Sequence, residues 1–137
     1  NKVELLRQFN ELCKDTLMET LDIEYVDVGD DFVVAKMPVT KKVFQPDGIL
    51  NGGATLALAE CVGSPASLLA IDPRQQTVRG IQMAANHIRS VNSGFVKATA
   101  RFIHKGRSTH VLEINITDDN ENLISVCKLT NIVLPKK

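Results

Sequence analysis

The stretch from Gly48 to Ile71 constrains this chain most. It is rich in Ala and Leu and apolar on most sides, so as a helix it has to be surrounded by protein. Asn51 is a good N-cap, and residues 52–71 read as one long helix behind it. Pro65 falls inside that helix and predicts a kink or break near Gly63 and Ser64. The same stretch is a poor membrane span, because it carries Asn51 and Glu60, and a carboxylate in mid-bilayer is costly.

The rest of the pattern supplies the cover. Val3, Leu5, Leu6, Phe9 and Leu12 fall near helical spacing and predict a short amphipathic helix. Residues 23–28 and 32–39 read as two strands joined by a turn at Gly29-Asp30-Asp31. Residues 40–49, with Pro46 and Gly48, read as a loop. After Asp72-Pro73 come four more strands: 77–89, 95–104, 110–117 and 123–134. Val96, Ala98, Ala100 and Phe102 alternate with Lys97, Thr99 and Arg101, and Leu112, Ile114 and Ile116 alternate with Val111, Glu113 and Asn115. The order is helix, two strands, long helix, four strands. One antiparallel sheet wrapped around one central helix satisfies it, an α+β arrangement. With 137 residues the chain suits one domain, spanning 1–137, with one core.

Charge narrows the partners. The chain has 16 basic and 16 acidic residues, a formal net charge of zero, which argues against a general nucleic-acid or anionic-membrane binder. Cys13, Cys61 and Cys127 are dispersed and form no CxxC pair, so no metal site is expected and reduced thiols in a cytoplasm are the simplest reading. The polar, charged opening residues are expected to carry no secretory leader.

Glu60 is the most informative side chain. It is the only formally charged one between Asp47 and Asp72, in the middle of a helix expected to be enclosed. A buried carboxylate is costly unless it is used or paired. It either works catalytically or forms a structural ion pair with Arg79, Arg89 or His87. At helical spacing Gly53, Ala57, Gly63, Ser64 and Ser67 share its face, which leaves room for a substrate or, equally, for close packing on the sheet. Ser64, one turn on, could orient the carboxylate or a water.

At the helix start, Gly52 and Gly53 present unpaired N–H groups at the positive end of the helix dipole. They form a ready oxyanion hole, and Gln45 in the loop before could donate to the same oxygen. Gly52 and Glu60 lie about 12 Å apart along a helix, at 1.5 Å per residue. They cannot both touch one carbonyl within one chain. If both act, the sites are shared by two subunits of a dimer. The basic turn His104-Lys105-Gly106-Arg107-Ser108, with Arg89, could hold the phosphates of a nucleotide-bearing substrate, or could be a solvated hairpin.

Three motifs in order carry a resemblance. Residues 45–64, QPDGILNGGATLALAECVGS, with Ala85-Asn-His87-Ile-Arg89-Ser90 and His104-Lys105-Gly106-Arg107-Ser108, resemble hotdog-fold thioesterases of the phenylacetic-acid-degradation (PaaI-like) type. The likeness runs nearly the whole chain after the first helix and is nearest to the branch with 1,4-dihydroxy-2-naphthoyl-CoA and 4-hydroxybenzoyl-CoA thioesterases. It implies hydrolysis of acyl-CoA, aromatic or medium-chain, to free acid and CoA. Glu60 then matches the catalytic carboxylate, Gly52 the amide that polarises the thioester carbonyl, Gln45 a side chain near it, and Ser64 a site residue beyond Glu60. His87, Arg89 and Lys105, Gly106, Arg107 and Ser108 match positions expected to contact CoA, itself part of the substrate, with no further cofactor. The resemblance implies a homotetramer built as a dimer of dimers.

Asn51 departs from the resemblance, which has His at this position. Asn can cap the helix and donate a hydrogen bond, but it cannot titrate near neutral pH. That makes a weakly active or non-catalytic acyl-CoA-binding protein the alternative. A hydratase would need a His in residues 40–51, and none is there.

Overall fold

The computed structural model describes residues 1–137 and contains helices α1 (Lys2–Leu12), α2 (Leu17–Thr20) and α3 (Gly52–Leu68), and strands β1 (Glu24–Val28), β2 (Phe32–Pro38), β3 (Gln76–His87), β4 (Phe95–Lys105), β5 (Thr109–Thr117) and β6 (Leu123–Pro135). The six strands form one sheet in the order β1-β2-β4-β5-β6-β3. Every pairing is antiparallel. The expected strands are all present. The short α2, and a 3-10 turn at Lys41–Val43 inside the expected loop, are additions.

Alternation sets the faces. Val96, Ala98 and Ala100 of β4, Leu112, Ile114 and Ile116 of β5, and Cys127 and Leu129 of β6 point inward and are buried. Ala98 pairs with Ile116 and Ala100 with Ile114. Ala35 of β2 pairs with Ala98. Small residues on the central strands and large ones beside them leave a trough for α3, whose Leu58, Ala59 and Val62 are fully buried. Gly63 brings the helix closer still: a Cβ there would collide with the Leu129 side chain.

The sheet covers only one side of α3, which corrects the expectation of an enclosed helix. Thr55, Leu58, Ala59, Val62, Gly63, Ala66 and Ser67 are buried. Glu60 and Leu68 are exposed. Apolarity all round requires cover on all sides, but one face of one sheet supplies only half of it.

Pro65 neither kinks α3 to a break nor ends it: the helix runs on to Leu68. Proline removes the N–H that would bond the carbonyl four residues back. That carbonyl belongs to Cys61, and the buried Tyr25 hydroxyl donates to it instead. Burial pushes the Tyr25 phenol well above its ordinary range, so it stays a donor.

A buried polar trio ties the second half of α3 to the sheet. His110 Nδ1 lies 2.9 Å from Ser67 Oγ, and Asn131 Nδ2 donates to Ser67 Oγ at 2.8 Å. Burial first, then the nearby charges of Lys105 and His104, hold the His110 imidazole below its ordinary 6.5.

This packing can be tested at both places. Tyr25→Phe leaves the Cys61 carbonyl buried without a donor and should cost about 1–3 kcal/mol in urea unfolding; parent-like stability would contradict the compensation. The unfolded chain binds a proton at position 110 more readily than the folded one. Stability should therefore fall as pH drops below about 6.5, and urea midpoints of His110→Gln should fall less steeply there.

Candidate active site

The start of α3 is held by its own loop. Asn51 N–H donates to Val43 O and Leu50 N–H to Val91 O, and Gln45 N–H donates to Ile49 O. Asn51 Oδ1 then accepts from Gly53 N–H at 2.6 Å and from Ala54 N–H at 3.4 Å. The cap therefore uses Gly53, and the N–H of Gly52 has no acceptor in the chain. A Cβ on Gly52 would lie 2.8 Å from His87 Nε2, so only glycine lets that imidazole stand over the helix start. Ser125 Oγ, 2.8 Å from His87 Nδ1, orients the ring. Gln45, Gly52, Thr55, His87, Arg89 and Ser125 line a cavity of about 230 Å³ here. The Gln45 side chain donates one N–H to Asp47 at 2.9 Å and keeps a second.

Glu60 sits at a different place. Its carboxyl carbon lies 3.7 Å from where a Cβ on Gly80 would be, so it rests over a bare point of β3. It lines a larger, mainly apolar cavity of about 390 Å³ with Tyr25, Ala57, Cys61, Ser64 and Pro65, closed on the far side by Phe9, Leu12, Leu17 and Met18 of the two short helices. No ion pair engages it. Arg79 instead donates to Thr77 and to the Val78 carbonyl, and His87 faces Ser125. The structural ion pair that the sequence left open is absent. Burial pushes the neighbouring Cys61 thiol up to about 12, which leaves it protonated and a poor nucleophile.

The expected site residues therefore divide in three. Gly52, Gln45, Asn51, His87 and Arg89 gather at one end of α3. Glu60 and Ser64 gather about two to three turns further on. Gly63 and Ser67 do not share the Glu60 face as expected, because both turn into the sheet. Nor does one chain join Arg89 to the basic turn. Arg89 N–H bonds to Ile124 O, and Ser108 O accepts from Val133 N–H. Those anchors are nine residues apart on β6, about 30 Å at 3.3 Å per residue. Lys105, Gly106, Arg107 and Ser108 thus lie at the opposite end of the sheet from Arg89 and His87. Ser125 belongs to none of the three motifs, although its inward position in an alternating strand carries a signal.

A six-stranded antiparallel sheet wrapping one long helix is the hotdog architecture, and its helix carries residues of both cavities. Known proteins agree. Residues 47–125 match the Thioesterase superfamily. The chain is 42% identical over 121 residues to 1,4-dihydroxy-2-naphthoyl-CoA hydrolase of Listeria monocytogenes, covering 88% of this chain and 98% of that protein. It is 36% identical over 129 residues to the Escherichia coli protein of the same name, covering 94% of each. The crystal structure of a thioesterase variant from Pseudomonas aeruginosa superposes with a TM-score of 0.94 at 39% identity, over 96% of this chain and 94% of that one. A Haemophilus influenzae thioesterase gives 0.91 at 39% identity, over 95% and 90%. The chain belongs to the thioesterase superfamily and is a thioester hydrolase. None of its helices is long and apolar enough to cross a membrane.

Proposed function

We propose that the protein hydrolyses acyl-CoA thioesters at sites shared by two copies of the chain. One observation carries this reading: the unpaired Glu60 carboxylate and the free Gly52 N–H lie on one helix, eight residues apart, each at its own cavity. An antiparallel pair of α3 helices brings Glu60 of one copy to Gly52 of the other.

The edges of the sheet support that pairing. The β1 edge is blocked, because Asn10 of α1 donates to Tyr25 O and accepts from Tyr25 N–H. The β3 edge is long and open, with Ile81 58% exposed and Ile88, just past the end of the strand, 59%. An open edge of that kind is a template for another strand. Joining two β3 edges continues the sheet and covers the open faces of both α3 helices. It also sets the Lys105–Ser108 turn of one copy towards Arg89 of the other, so both can take the phosphates of CoA.

The chemistry follows from placement. The thioester carbonyl accepts a hydrogen bond from Gly52 N–H, with His87 Nε2 and the spare N–H of Gln45 beside it. Glu60 of the other copy attacks the carbonyl carbon or takes a proton from the water that does. The tetrahedral oxyanion forms against the helix terminus, the C–S bond breaks, and CoA leaves as the thiol once protonated. Hydrolysis of any acyl-enzyme returns Glu60 and free acid. The apolar cavity beside Glu60 takes the acyl group. Its lining, and relatives named for a naphthoyl-CoA substrate, favour an aromatic acyl group over a medium-length chain.

Thiol release across a panel of aromatic and aliphatic acyl-CoAs tests this. Glu60→Ala should lose turnover while keeping its fold. Gly52→Pro removes the N–H at a helix position proline tolerates, and its ring also displaces the His87 imidazole; it should lose at least on the order of 100- to 1,000-fold in rate. Tight acyl-CoA binding with no thiol release from the parent would make this a binding protein instead.

A further inference from the structure

We propose that Asn131 is a positioning residue for Glu60, acting across the bare α-carbon of Gly80. This rests on the reading of Glu60 as the catalytic carboxylate. Asn131 pairs with Gly80 across β6 and β3, at the point where the β3–β6 register shifts. Its side chain is fully buried. Nδ2 donates to Ser67 Oγ at 2.8 Å and reaches Gly63 O at 3.5 Å. Oδ1, in contrast, is buried with no hydrogen-bond partner in the chain. It lies 3.4 Å from the Cβ position of Gly80, and the Glu60 carboxyl carbon lies 3.7 Å from the same point. The orphaned end of the amide and the carboxylate thus meet at one point over Gly80, where the third neighbour is a Leu129 methyl at 3.5 Å, which offers no hydrogen bond to either.

The two ends of an amide have the same shape and are assigned by their partners. Turned over, Asn131 satisfies the whole cluster. His110 Nδ1–H donates to Ser67 Oγ, the Ser67 hydroxyl donates to Asn131 Oδ1, and Asn131 Nδ2 faces the Glu60 carboxylate directly or through one water. A chain of donors then runs from the core to the site. It gives Glu60 a neutral donor from the sheet side, one that fixes its rotamer without neutralising its charge. A purely structural Asn131, tying α3 to β6, leaves the orphaned oxygen and the bare Gly80 unexplained.

Two variants and their combination decide it. In Gly80→Ala the new methyl meets its neighbours at 3.4–3.7 Å, ordinary contact, so the fold should hold while the two groups are separated. Asn131→Leu removes the donor at similar volume. Each should lower kcat roughly tenfold and leave KM within about twofold, the mark of an interaction made in the transition state. The double variant should be no slower than either single one, since both break the same link. Gly80→Ala that melts like the parent and keeps its kcat overturns the proposal, as does a loss carried by KM or losses that simply add. If Asn131→Leu fails to fold, Gly80→Ala alone decides. Glu60→Ala separates the levels: inactive Glu60→Ala beside fully active Gly80→Ala sinks only the role of Asn131, while active Glu60→Ala sinks the underlying reading as well.

Discussion

One sheet has one inward face, and α3 has more apolar surface than that face can cover. The central strands carry Ala35, Ala98 and Ala100 to make the trough, and Gly63 lets the helix backbone settle against Leu129. That close seating fixes which residues turn away. Gly53, Ala57, Glu60, Ser64 and Leu68 are left on the open side, and the order of the strands leaves the outer edge of β3 without a partner strand. Charge position, cavity position and the open edge are consequences of one packing decision. Had the sheet wrapped the helix fully, Glu60 would be a buried charge to be neutralised. Left half-wrapped, the helix offers its carboxylate and its N-terminus to whatever completes the cover.

The local backbone around the site is held from a distance. Tyr25, on the strand blocked by Asn10, supplies the hydrogen bond that Pro65 takes from α3. Proline therefore shapes the wall of the apolar cavity without ending the helix that carries Glu60. At the other end, Ser125 and Asn51 divide the labour: one orients His87, the other caps Gly53 and Ala54 and leaves Gly52 N–H free. An Asn at this position is chemically sufficient for the cap, and an imidazole is still present at the helix start, from β3.

The strands are legible because alternation is a local signal, and the inward sets of β4 and β5 are those their sequences mark. The resemblance in residues 45–64 carries the fold and the family. What escapes the sequence is long-range. No neighbour of Pro65 along the chain makes good its missing hydrogen bond. Tyr25 does, and only the packing of β1 on α3 brings the two together. Gly63 and Ser64 are equally small and each is about one turn from Glu60, so spacing cannot tell which faces the sheet. The basic turn and Arg89 look like partners because the sequence does not disclose at which end of β6 each lies. Asn131 and Ser125 are within reach of sequence reasoning: both sit at inward positions of a strand whose other inward residues are Cys127 and Leu129, and a polar side chain there asks for a reason.

The claim on which the account turns is that a working site needs the Glu60 of one copy and the Gly52 N–H of another. Co-expression of Glu60→Ala with Gly52→Pro, under separate tags, tests it most directly through the thiol release of the purified mixed dimer. Each variant alone is impaired. The mixed dimer holds one site with both defects and one with neither, so about half of the parent rate per dimer should return, as two-fold symmetry requires. A mixed dimer no faster than its two parents would place both groups in the same chain and contradict the account.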